Sequence, residues 1–150
     1  MPRSAQADND PHVFINCPFD EDYWPLLQAM VFAVRICAHV PRCAAEADDS
    51  GEVRLEKIIR IIRECPLGIH DLSRKAADPA HGLSRFNMPF EMGLFLGASR
   101  FGRGRKAMLV METGRFDYQK LLSDIAGQDI RAHGNDPARM ICSTAPGSRP

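Results

Sequence analysis

The sequence predicts an α/β fold, a parallel sheet of four to five strands with helices on both faces. Three observations carry this expectation. Short β-prone runs alternate with longer stretches of helical period, the runs end at prolines or polar turns, and 150 residues suit one core and no second. Strand, helix, strand, helix repeated in this way requires crossover connections between parallel strands.

The elements follow in chain order. Met1 to Pro11 is a polar leader, expected to be disordered, and residues 12–136 are expected to form the domain. "HVFINC" (His12 to Cys17) is the first strand, broken by Pro18, which cannot donate to a ladder. Asp20, Glu21 and Asp22 place negative charge at a helix start, and Leu26, Leu27, Met30, Val34 and Cys37 form the apolar stripe of that helix. "HVPRCAAEA" (His39 to Ala47) is a short second strand. Leu55, Ile58, Ile59, Ile62 and Cys65 recur with helical spacing among charged residues, and Pro66 ends that helix. "LGIHDLS" (Leu67 to Ser73) is the third strand, Met88 onward the third helix, "KAMLVME" (Lys106 to Glu112) the fourth strand, and Tyr118 to Ile125 a short fourth helix. Asp136 followed by Pro137 opens a last helix in its capping order, but residues 137–150 run into Pro, Gly and Ser and are expected to be a short or frayed tail.

Composition excludes several classes. Nineteen basic residues balance nineteen acidic ones, so no net field draws the chain to nucleic acid or an anionic membrane. No apolar run is long enough to span a bilayer. Five singly scattered cysteines suit free thiols in the cytoplasm rather than a disulfide framework. The five histidines lack metal-ligand spacing, so no metal and no cofactor is expected.

In parallel sheets ligands bind beyond the carboxyl ends of the strands. That rule selects Asn16, Cys17, Pro18 and Phe19 after strand one, Arg42 near the end of strand two, Asp71, Ser73 and Arg74 after strand three, and Arg85, Asn87 and Glu91 at the start of helix three. Glu91 is the one carboxylate in an otherwise apolar run. The residue before a proline avoids helical geometry, so Met88 is the expected cap, Pro89 the first helical residue and Glu91 a first-turn carboxylate held ionised by the helix dipole. Capping alone is the plainer reading. Against it, Met88 offers no reciprocal side chain, and Leu94 and Phe95 share the face of Glu91, which must therefore lose water. Asp71 likewise reads as a turn-forming aspartate or as a crevice carboxylate. Ser73, Arg74, Arg85 and Asn87 supply donors for hydroxyls and a phosphate, and each is also an ordinary loop residue. "DIAGQDIRAHGND" (Asp124 to Asp136) is a polar loop able to close the crevice, offering Gln128, Asp129 and Arg131.

"FINCPFDEDY", "IHDLSR" and "RFNMPFEMGLFLG" together resemble the nucleoside 2-deoxyribosyltransferase-like proteins and the related TIR-like domains. The resemblance spans roughly Val13 to Asn135 and implies a flavodoxin-like three-layer sandwich. It implies that Glu91 attacks or stabilises the anomeric carbon of a nucleoside, that Asp71 holds the sugar, and that Asn87 is a neighbouring ligand. The substrate stays open among nucleosides, nucleotides and NAD, in a setting of bacterial defence or signalling. The chain departs from the pattern by lacking a glycine-rich phosphate cradle after strand one and the Trp-Cys pair before the TIR glutamate. Two functions follow as expectations: an N-glycosidic bond hydrolase or transferase, or a non-catalytic nucleotide-sensing and self-assembly module on the same fold. Apolar residues near Phe95, Phe101 and Phe116 leave a homo-oligomer open.

Overall fold

A computed structural model describes residues 10–46, 51–74, 86–115, 122–125 and 127–145. The chain runs β1 (His12–Asn16), α1 (Trp24–Ile36), β2 (Val40–Cys43), α2 (Arg54–Glu64), β3 (Leu67–Asp71), α3 (Asn87–Phe101), β4 (Ala107–Glu112), β5 (Ile130–Ala132) and α4 (Pro137–Thr144). All strand pairs are parallel, in the order β2-β1-β3-β4-β5. This is the flavodoxin-like order, with its switch point between β1 and β3.

Strand alternation divides the core into two layers. Val13, Ile15, Ile69 and Met111 face α1 and α4, packing on Leu26, Leu27, Met30, Val34 and Met140. Phe14 faces the other way, onto Ile58, Ile61, Ile62 and Cys65 of α2 and Phe95 of α3. The buried stripe of α2 is therefore Ile58, Ile61, Ile62 and Cys65, while Leu55 is exposed and Ile59 half-buried. Isoleucines at 58, 59, 61 and 62 leave the rotational phase of this helix undecided by spacing alone.

Three differences from the sequence reading have physical causes. The acidic start before α1 is a separate 3₁₀ turn, Glu21–Tyr23, capped by the Asp20 side chain accepting from the Tyr23 N–H at 3.1 Å. α3 begins at Asn87 with Phe86 as its cap, not at Pro89 with Met88 as cap. Proline is tolerated there because the first four N–H groups of a helix have no acceptor within it, and the first helical bond runs from the Phe90 N–H to the Phe86 carbonyl at 3.0 Å. The third difference is β5, a three-residue strand in a segment whose polar side chains hide any strand pattern. Of the fourth helix expected over Tyr118 to Ile125, residues 118–121 lie outside the described residues, and Ser123–Ile125 is a 3₁₀ turn. α4 starts as expected, the Asp136 carboxylate accepting from the Ala138 N–H at 2.9 Å, and it packs on α1. Among the described residues no helix is long and apolar enough to cross a membrane.

Two contacts lock α3 onto the sheet. The Lys106 ammonium donates to the carbonyls of Ile62 and Cys65 at the end of α2, both at 2.7 Å, and stands 5.5 Å from the centre of the Phe95 ring. Gly68 lets that ring lie against β3, since a Cβ there would come within 2.8 Å of Phe95 and 2.9 Å of the His70 Nε2. Gly68→Ala is expected to lower unfolding free energy by about 1–3 kcal/mol in a urea titration, the usual cost of overpacking a tight core; an unchanged midpoint would show that Phe95 has room to move.

Candidate functional site

The carboxyl ends of β1 and β3 bring a polar cluster into the middle of the molecule. Asp71, the last residue of β3, faces the α1 side with Ile69 and is fully buried. One carboxylate oxygen accepts from the backbone N–H of Ser73 at 2.8 Å and from the Ser73 hydroxyl. The other accepts from the Tyr23 hydroxyl and lies 3.0 Å from His133 Nε2. Three of the roughly four acceptor positions of the carboxylate are thus occupied by hydrogen bonds. Burial, then the charge of Asp71, pushes the Tyr23 phenol pKa up, which keeps its hydroxyl a donor.

His133 is set by the backbone around it. Its N–H extends the β4–β5 ladder to the Glu112 carbonyl at 3.0 Å. Gly134 (φ +61°) and Asn135 (φ +58°) then form a tight turn closed by the Asp136 N–H on the His133 carbonyl at 3.0 Å. Two successive positive φ angles are the type I′ signature, suited to Gly and Asn. The Asn135 N–H donates to His133 Nδ1 at 3.1 Å, so the ring proton sits on Nε2, facing Asp71. Ser73 Oγ also lies 2.9 Å from Nε2. Serine, histidine and aspartate meet here without forming a hydrolase triad. Both partners share one ring nitrogen and the other is occupied by backbone, so the imidazole has no site to take the serine proton.

On the opposite face, Asn16 joins β1 to the start of α3. Its amide donates to the Met88 carbonyl at 2.8 Å and to His70 Nδ1 at 3.1 Å. The proton of His70 therefore lies on Nε2, a fully buried atom with no partner among the described residues. Burial pushes the His70 pKa down to about 3, which leaves the ring uncharged between Phe14 and Phe95.

Glu91 enters from this second layer. It keeps only 6% of its surface accessible, and no hydrogen bond or ion pair joins it to another described residue. As the fifth residue of α3 it lies beyond the first turn, and the helix dipole falls off within that turn. Its pKa is accordingly raised by burial, opposed by the charge of Arg54, which reverses the sequence expectation of a carboxylate held ionised by the dipole. Cys17 stands between the two carboxylates. Burial and then Asp71 push its thiol pKa up, with Cys43, Glu91 and Asp20 adding to the effect. Asp71 from one layer and Glu91 from the other thus act on the same atom at the end of β1.

The other predicted residues divide. Pro18 is buried beside Cys17, Phe19 is exposed, and Asn87 is exposed at the first position of α3. Arg74 pairs with Asp20 at 2.5 Å, tying the loop after β3 to the turn before α1. Arg42 is committed elsewhere, bonded to Glu46 at 2.6 Å and Glu64 at 2.8 Å, and so fastens β2 to α2. Arg85 lies outside the described residues. From the polar loop it is His133 that reaches the cluster, whereas Arg131 donates to the Ser143 carbonyl at 2.6 Å and Gln128 and Asp129 are exposed. Sequence reasoning missed Tyr23, His70 and His133 as site residues. The Gly-Asn turn directly after His133 was the available signal, because such a turn fixes the residue before it at the end of a strand.

Among the described residues no cluster of His, Cys, Asp and Glu is arranged to hold a metal. Two concavities are lined by other residues. An apolar cavity of about 280 Å³ is lined by Val13, Ala33, Cys37, Leu67, Leu109 and Thr144, and a groove of about 1170 Å³ beside β5 is lined by residues including Arg115, Arg131 and Arg139. The fold is that of a flavodoxin-like α/β domain, with Asp71 buried at the end of β3 and Glu91 buried on α3. No family model matches the sequence, and a search of curated proteins finds no match either.

Tyr23→Phe removes one donor from the buried Asp71 carboxylate while keeping the ring. The expected loss of unfolding free energy is about 1.5–3 kcal/mol, measured by denaturant titration; a neutral result would mean that the hydroxyl is not engaged by Asp71 in solution.

Proposed function

We propose that the crevice between β1, β3 and the first turns of α3 cleaves an N-glycosidic bond of a nucleotide, nucleoside or NAD, by hydrolysis or by transfer to a second base. The observation that carries this reading is Glu91, a carboxylate buried without a partner among the described residues. Such a group is costly at rest, and a cation formed beside it recovers that cost. Breaking the bond from the anomeric carbon to the base nitrogen sends the electron pair to the base and leaves positive charge on the sugar ring. Ionised Glu91 stabilises that charge or closes on the anomeric carbon, and water or another base then completes the reaction. The resemblance of "RFNMPFEMGLFLG" to the glycosyl-transferring proteins supports the same assignment.

Asp71 has a different part in this scheme from the sugar ligand expected of it. With hydrogen bonds from Ser73 and Tyr23, it fixes the start of the turn that follows β3. No free carboxylic acid beside Glu91 is then available among the described site residues to protonate a departing purine. A pyridinium base leaves uncharged and needs no proton, which favours NAD over purine nucleosides. The engagement of Asp71 by Tyr23 and Ser73 also supports a second reading, a nucleotide-sensing module that binds here without turnover.

Incubating wild type and Glu91→Gln with NAD, nucleosides and nucleoside monophosphates, with chromatographic detection of free base, separates the two. Base release by wild type, reduced about 10²-fold or more in the variant, is the expected outcome. Equal release by both proteins overturns the role of Glu91, and ligand binding without release by either selects the sensing module. Because the ionised form is required and burial raises the Glu91 pKa, kcat/KM is expected to rise with pH through an acid limb above the usual carboxylate value of about 4.3. An acid limb at or below that value would show Glu91 to be solvated or paired during turnover.

A further inference from the structure

The sequence of α3 is apolar on nearly every side, a pattern that belongs to helices covered all round. Yet only Glu91, Met92 and Phe95 are buried in the domain. Phe86, Phe90 and Phe101 are 72%, 54% and 93% exposed, and with Gly93 and Gly97 they fall within about 80° of the helix circumference. The expectation of exposed apolar surface near Phe95 is corrected here, since Phe95 is fully buried, while Phe116 lies outside the described residues.

The glycines have no explanation among the described residues. Glycine in a helix interior weakens the helix relative to alanine and is justified by a positive φ or by a close approach. Neither residue has a positive φ, and a Cβ built on either meets no atom within 4 Å. Nothing among the described residues justifies them, and a close approach by a second surface would.

We propose that this face of α3 is the two-fold interface of a homodimer, with two α3 helices packed antiparallel across Gly93 and Gly97. The spacing is self-complementary. From the midpoint of the two glycines, Phe90 lies about 7.5 Å along the axis in one direction and Phe101 about 9 Å in the other, at 1.5 Å per residue. A two-fold axis at that midpoint sets Phe90 of one copy beside Phe101 of the other and Gly93 opposite Gly97, the isologous pattern of a symmetric dimer. The three phenylalanines expose on the order of 400 Å² per copy, so pairing removes roughly 800 Å² from these side chains alone, well over half of the ~1,200 Å² at which specific interfaces begin. The second exposed apolar stripe, Trp24, Phe32 and Ile36 on α1, contains no glycine notch and serves as the control surface.

Sedimentation velocity of the full chain over the micromolar range tests the proposal. Wild type is expected to dimerise reversibly. Gly93→Leu with Gly97→Leu, and separately Phe101→Ser, are expected to raise the dissociation constant by at least about tenfold. Phe32→Ser with Ile36→Ser on α1 is expected to leave it unchanged. The double leucine variant is also expected to keep or raise its monomer melting temperature, because leucine is the better helix former and nothing in the chain opposes it. A wild type that stays monomeric, a dimer indifferent to both α3 variants, or one broken by the α1 variant overturns the proposal.

Discussion

The fold of this protein turns on one buried carboxylate. Asp71 ends β3 at the centre of the sheet and gathers groups from three separate parts of the chain: the Tyr23 hydroxyl before α1, the Ser73 N–H and hydroxyl two residues on, and His133 after β5, whose Nε2 lies 3.0 Å from the carboxylate. Removing such an ion from water is costly, and only a complete set of hydrogen bonds offsets that cost. The arrangement therefore specifies position as much as it contributes energy. A shift of β5 by one residue or a tilt of α1 would leave the charge partly unpaired. The type I′ turn at Gly134 and Asn135 serves the same end, since its backbone N–H fixes the tautomer with which His133 meets Asp71.

Glu91 is treated in the opposite way. It is buried on α3 and no hydrogen bond or ion pair joins it to another described residue. One carboxylate with three hydrogen bonds and another with none both act on the Cys17 thiol and raise its pKa. The contrast separates a structural ion from one held ready for a charge that arrives with a ligand. Folds tolerate local conflict of this kind at functional sites and compensate elsewhere, here through the rigid Phe95–Lys106 corner and the hydrogen-bonded Asp71 cluster.

Much of the architecture was legible because alternation of strands and helices and the run of parallel crossovers depend on pattern alone. β1, β3, α2 and the cap of α4 fall where valines, isoleucines, Pro66 and Asp136 place them. The phase of α2 was not legible, because isoleucines at 58, 59, 61 and 62 satisfy two faces, and β5 was not, because its three residues are too few to show alternation. At the site, the carboxyl-end rule singled out Asp71 and Glu91, both buried in the fold, but could not foresee their surroundings. The state of Glu91 was not legible, because a helix start two residues earlier moves it out of the first turn. Tyr23 and His133 come from 48 and 62 positions away from Asp71 in the chain, and nothing local to either residue announces a partner so distant.

Most depends on Glu91 being a carboxylate of a buried residue with no hydrogen bond or ion pair among the described residues and only the more distant charge of Arg54 opposing its burial. Thermal unfolding of wild type and Glu91→Gln from mildly acidic to neutral pH measures this without reference to any substrate. A folded-state pKa raised above the unfolded one means that the native protein binds the extra proton, so ionisation of Glu91 costs stability as pH rises past the ordinary glutamate value. The account predicts near-equal melting temperatures in acid and a growing advantage for Glu91→Gln toward neutral pH. A variant that becomes less stable than wild type as pH rises would show the charge to be stabilising, and Glu91 to be part of the scaffold.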